Sequence, residues 1–141
     1  MTDYVIQTNA LTHAAVLDML RGAVACAEDI GQPQCIVVVD ASGEPLGEIR
    51  MTGAKYLSRS SARTKARTAA SIGAPSDAVP EAVRPAIAAA TQGQITGLAG
   101  GLPIRVGGTL VGGICVGSGS PDQDVAVARA ALAAIGADPQ N

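Results

Sequence analysis

Gly100-Gly101-Leu102-Pro103-Ile104-Arg105-Val106-Gly107-Gly108-Thr109-Leu110-Val111-Gly112-Gly113-Ile114 reads as a strand, a two-glycine turn and a returning strand. Gly107-Gly108 suits a two-residue primed turn, whose central residues take positive φ. Gly112 and Gly113 leave the returning strand thin, and strand glycines mark places where a ligand or another backbone comes close. Gly100-Gly101, ahead of Pro103, offer backbone N–H groups to an anion. The run lacks the G-x-G-x-x-G order opening a helix and has no P-loop Lys-Ser/Thr, so it is not a nucleotide fingerprint.

Cys35 to Asp40 is a β-branched run, apolar on both faces, as in a central strand. Ala41-Ser42-Gly43-Glu44 is turn chemistry, and Pro45 to Met51 returns as a second strand. Thr12 caps a first helix whose apolar residues Leu17, Leu20, Val24 and Ala27 recur at helical spacing up to Gly31 and Pro33. A second helix is predicted from about Lys55 to Ser71, with a narrow face of Ala62, Ala66, Ala69 and Ala70. Glu81 to Ala90 reads as a short helix. Ser120-Pro121-Asp122-Gln123 opens a last helix with a capping box, and Val125, Ala128, Leu132 and Ile135 form its apolar stripe. Helix, hairpin, helix, irregular segment, hairpin, helix predicts one α+β domain over residues 1–141, an antiparallel sheet covered by helices.

The 141 residues contain no Phe or Trp and only two tyrosines, Tyr4 and Tyr56. The core must therefore use Val, Ile, Leu and Ala, and a base-stacking surface is not expected. A net charge of −2 leaves no electrostatic footprint for nucleic acid. No segment approaches the roughly 20 apolar residues of a membrane helix, and the N-terminus lacks a secretory pattern. Cys26, Cys35 and Cys115 are odd in number and lack CxxC spacing, which argues against a disulfide framework or zinc site. The expected location is cytoplasmic.

Arg50, ending a strand, and Lys65, on the following helix, are candidates to converge on a carboxylate or a haem propionate. The structural alternative is that Lys65 caps a carbonyl or pairs with Glu48 or Asp40. His13 is the only histidine, and a neutral imidazole ligates haem iron; the alternative is a solvent-facing side chain at a helix start. Cys115 reads as a thiolate or as a small buried hydrophobe. The Arg59, Arg63 and Arg67 stripe reads as a solvated face or an oligomer contact.

Val38-Val39-Asp40-x-x-Gly43, Arg50-Met51-x-Gly53-Ala54, Lys65-Ala66-x-Thr68-Ala69, Gly100-Gly101-x-Pro103-Ile104 and Gly112-Gly113-Ile114-x-Val116 together resemble the GlcG/HbpS-like family, to which the C-terminal domain of PduO-type proteins is related. The resemblance spans about Leu11 to Ile135. It implies a profilin-like α+β fold with a five-stranded antiparallel sheet, haem binding, and homo-oligomers of two or more subunits. Members of the family include proteins implicated in haem degradation. The chain departs from the family pattern at Thr52, where the family commonly has Asp, and at Gly117, within its usual Ile-Gly-Val-Ser-Gly segment.

The expected function is small-molecule binding, of haem or a compact organic anion, near Arg50, Lys65 and the Gly-rich loop. The positions assigned to ligand binding are Met51, Gly53, Gly100, Gly101, Leu102 and Pro103, with His13 as the metal ligand. An alternative is an enzyme acting on a small carboxylated metabolite, with Lys65 as acid or base and Arg50 as the carboxylate clamp. A second alternative is a ligand-free interaction module.

Overall fold

A computed structural model describes residues 2–140. Four helices and four strands follow in the order α1 (His13–Asp29), β1 (Cys35–Asp40), β2 (Pro45–Arg50), α2 (Ser58–Ile72), α3 (Arg84–Ala90), β3 (Gly101–Val106), β4 (Thr109–Gly117) and α4 (Pro121–Ala134). The strands form one antiparallel sheet in the order β2-β1-β4-β3. The resemblance implied five strands; the described residues form four. The stretch between α2 and β3 takes two 3-10 turns, Ser76–Ala78 and Glu81–Val83, and then α3. Pro75, Pro80 and Pro85 remove backbone donors there, which disfavours a paired strand.

Strand alternation sends side chains to two faces. Ile36, Val38, Ile104, Ile114 and Val116 meet Met19, Ala23, Val127, Ala128 and Ala131 of α1 and α4. Val37, Val39 and Cys115 meet Ala62, Ala66 and Ala70 of α2. On this second side the backbones nearly touch. A Cβ on Gly113 would lie 2.3 Å from the Ala66 carbonyl oxygen, and one on Gly101 would lie 2.1 Å from that of Lys65. The all-alanine face of α2 and the thin strands are thus two halves of one contact.

Local chemistry sets the element ends. Thr12 accepts the Ala15 N–H, and Ser120 with Gln123 forms a complete capping box. Gly73 ends α2 with φ 65°, and Gly107-Gly108 turn with φ 58° and 81°. The second helix starts at Ser58 rather than at about Lys55, because Lys55–Leu57 form the turn leading into it. The segment Glu81 to Ala90 is part 3-10 turn and part helix.

The α1 stripe differs from its sequence reading. Val16, Met19, Ala23 and Ala27 are the buried set, whereas Leu17 is 47% exposed and Leu20 and Val24 are half-buried. This helix carries a wider apolar surface than the sheet beneath it can cover. The last helix shows the same one-residue rotation: Val127, Ala128, Ala131 and Leu132 are buried, while Val125 and Ile135 are half-buried.

β2 is tied to α2 by a bidentate pair, Arg63 to Glu48, with both N···O distances 2.6 Å. The hydrogen bond from Arg63 holds the Glu48 carboxyl below its usual range. Because the folded value is the lower one, this stability is present above about pH 4.5 and is lost as pH falls through the folded value. The pair is partly exposed, so its worth is about 0.2–1 kcal/mol. Urea unfolding of Glu48→Gln should show that loss at pH 7 and converge on wild type as pH falls through the lowered folded value of Glu48; a pH-independent difference contradicts the clamp. Gly113→Ala should lower unfolding free energy by about 1–3 kcal/mol through overpacking. A wild-type midpoint for that variant contradicts the close α2 approach.

Candidate functional site

The surplus apolar surface of α1 opens a groove between that helix and β2. Two adjoining cavities of about 520 Å³ and 420 Å³ share Val24, Glu28 and Ile49. Leu17, Leu20, Arg21 and Ala25 line the first part of the groove, and Ala27, Pro33, Met51 and Thr52 line the rest. Volumes of about 300–1,000 Å³ with mostly apolar walls are usual for small-molecule sites.

Helical spacing places His13 on the stripe of Leu17, Leu20 and Val24, at i, i+4, i+7 and i+11. Two turns, about 10 Å, separate His13 from Leu20. His13 lies one turn before Leu17 at the start of α1, exposed to solvent, and does not itself line either cavity. The Met51 thioether lies at the other end, where its sulfur accepts the Gln34 N–H at 3.4 Å. Gly53 packs beside Pro33 at the same end. Thr52, where the family resemblance expected a carboxylate, lines the wall.

The remaining candidates lie elsewhere. Lys65 is buried under α2 at 8% exposure, and a Cβ on Gly100 would lie 3.1 Å from its Nζ. It forms no ion pair with Glu48, Asp40 or any other described carboxylate. Arg50 is exposed on β2, opposite Cys35. The strand carrying Arg50 and the strand under Lys65 are the two edges of the sheet, about 14 Å apart at about 4.8 Å per strand. The two cations do not converge. Gly101 is filled from above by α2, Leu102 belongs to the α1/α4 core, and the Pro103 carbonyl accepts the Gln140 side-chain amide. Of the sequence candidates, Met51 lines the groove, Gly53 packs beside its Pro33, and His13 begins the helix that carries its apolar stripe, whereas Lys65 with Gly100 lies across the sheet.

Cys115 faces α2 with no solvent exposure, and burial pushes its thiol up to about 12 against the pull of Lys65. It is a packing group, not a thiolate. Arg63 and Arg67 are also accounted for, by Glu48 and by the Gly43 carbonyl and Gln94. Among the described residues no three His, Cys, Asp or Glu side chains gather into a metal site. No described helix is long and apolar enough to cross a membrane.

The groove-lining residues Leu17, Leu20, Val24 and Ile49 were missed as site residues. Their signal was present in α1, which has more large apolar positions than a single buried stripe needs.

Three crystal structures resemble this fold closely. Protein ORFY of Klebsiella pneumoniae is 26% identical, with a TM-score of 0.89 over 96% of this chain and 97% of that one. A PduOC:haem complex is 29% identical, with a TM-score of 0.83 over 92% and 98%. A double mutant of Streptomyces reticuli HbpS is 34% identical, with a TM-score of 0.80 over 94% and 92%. No curated protein matches the sequence. The profile of the haem degrading protein HbpS-like family matches residues 11–133, nearly the whole length. By that match, and by its 34% identity to HbpS across most of both chains, this chain belongs to the HbpS-like family.

Proposed function

We propose that this chain binds haem in the groove between α1 and β2, with His13 as the iron ligand. The observation that carries this reading is the apolar stripe Leu17, Leu20 and Val24 facing a wall of Ile49 and Met51, with His13 one turn before Leu17 on the same helix. A flat apolar macrocycle needs such walls, and its iron needs a neutral nitrogen or sulfur donor. The donor set fits, since His13 stands at one end and Met51 at the other. Arg21, exposed on the rim and loosely paired with Asp18 at 3.3 Å, offers a guanidinium to a propionate. Bound haem supplies iron-centred redox and ligand-binding chemistry; the protein's own part is to bind, orient and shield it from water. The haem complex of the similar PduOC supports the assignment.

Hemin titrated into the purified protein should give a sharp Soret band at micromolar concentration. His13→Ala should weaken binding at least tenfold, and Ile49→Asp should do the same by charging the wall. A wild type without the band contradicts haem binding, and unchanged binding by His13→Ala contradicts the ligand assignment.

A second reading rests on Lys65, a buried ammonium in no contact ion pair among the described residues, though its charge acts on Asp124, beside Gly100-Gly101. A compact carboxylate docks there, and Lys65 serves as its acid or base without help from Arg50. Calorimetric titration with small carboxylates should show binding that Lys65→Met abolishes and Arg50→Ala retains. Loss in Arg50→Ala, or retention in Lys65→Met, overturns this reading.

A further inference from the structure

At one end of the sheet β1 begins, β4 ends and β3 begins, with Cys35 opposite Gly117 and Gly101 opposite Cys115. Three polar side chains are buried at this end. Gln34, just before β1, has no solvent exposure, while Asp124 near the start of α4 and Lys65 on α2 each keep 8%. The backbone N–H and carbonyl of Gln34 are used, by the Met51 sulfur and the Met51 N–H. Neither its side-chain nitrogen nor its side-chain oxygen has a partner. A buried amide left unpaired costs stability, and native structures carry few of them. A Cβ on Gly119 would lie 2.6 Å from Nε2 of Gln34 and 2.9 Å from Oδ1 of Asp124, so both groups converge on the bare flank of Gly119.

Asp124 accepts the Gly119 N–H at 3.0 Å. Burial pushes its carboxyl up, against that bond, the Lys65 charge and the nearby Gln34 amide. Lys65 acts on Asp124 through its charge without closing a contact pair, and its Nζ rests beside the bare flank of Gly100. Ser118 is held at φ 94° by the Lys55 N–H on its hydroxyl and the Gln32 amide on its carbonyl. Strained backbone of this kind clusters at ligand sites.

We propose that Lys65, Asp124 and Gln34 form one site for a short hydroxycarboxylate, its carboxylate on Lys65 and its hydroxyl between Asp124 and Gln34. The assignment rests on the reading that Lys65 receives a small carboxylate, and adds the two residues that select which one. A cation and an anion that do not meet are joined by a molecule with an acceptor at one end and a donor at the other. A hydroxyl donates to the Asp124 carboxylate and accepts the Gln34 N–H, so it pairs both groups at once. A 2-oxo group would set an acceptor against the carboxylate. An ammonium cannot accept the Gln34 N–H and would sit near the charge of Lys65. A plain carboxylic acid leaves the amide unpaired. Gly100 and Gly119 keep side chains away from the two ends of the site.

Calorimetry of the wild-type protein with lactate, pyruvate, alanine and propionate reads this selection. Lactate should bind about tenfold more tightly than each of the others, because a site built to pair a hydroxyl rejects analogues lacking it. Asp124→Asn keeps an acceptor for the Gly119 N–H and should cut lactate binding about tenfold while leaving propionate binding as it was. Gln34→Leu fills the same space without an orphan amide. It should cut lactate binding to a similar extent and leave the melting temperature unchanged or higher; Gln34→Met gives the same two readouts should the leucine variant not fold. A lower melting temperature in that variant assigns the amide to the fold and overturns the proposal, as does unchanged lactate binding in either variant. Equal binding of lactate and propionate, lost together in Lys65→Met, overturns the hydroxyl assignment while the carboxylate reading of Lys65 stands. No binding of any of the four overturns both.

Discussion

The architecture depends on how closely α2 approaches the sheet. The Ala66 carbonyl occupies the space that a side chain on Gly113 would need, and the Lys65 carbonyl does the same at Gly101. At Gly101 and Gly113 the absence of a side chain lets α2 lie nearly on the strand backbone, beside Val37, Val39 and Cys115 packed on its alanines. The layer is dense without any large aromatic residue, as a chain lacking Phe and Trp requires. The same closeness leaves no room for a ligand the size of haem above Gly101. The strand glycines, which read in sequence as space for a small molecule, face the protein's own helix.

The opposite face follows other rules. There α1 and α4 pack with larger side chains, and α1 presents more apolar surface than β1, β4 and α4 can bury. The excess lies over β2, a short edge strand thinned at Gly47, where a Cβ would come within 2.7 Å of Val16. A groove forms because the helix is wider in apolar terms than the sheet is long in strands. Helical periodicity puts His13 one turn before Leu17, in line with the groove's apolar stripe. The tight face supports the fold, and the loose face carries the groove proposed to bind haem.

Much of this was legible in the sequence where the signal is local. The capping box at Ser120 and Gln123, the Thr12 cap, the Gly107-Gly108 turn and the alanine face of α2 all act within a few residues of chain, and each appears as read. The five-strand expectation came from resemblance and gave way to four because a proline-punctuated stretch before β3 became turns and a short helix. Arg50 and Lys65 lie only fifteen positions apart, but strand order places β2 at one edge and the Gly101 strand at the other. No sequence spacing encodes that separation. The groove was hidden for a related reason, since Leu17, Leu20 and Val24 show a helical period that fits either a core stripe or a site wall. Only the position of β2 distinguishes the two.

The central claim, that the ligand lies on the α1 side of the sheet, is tested most directly by backbone NMR with gallium protoporphyrin IX, a diamagnetic stand-in for haem. Amide shift changes should cluster along residues 13–28 and 49–52, with Lys65 and 100–103 unmoved. Changes centred on Lys65 and 100–103, with α1 silent, would contradict the account.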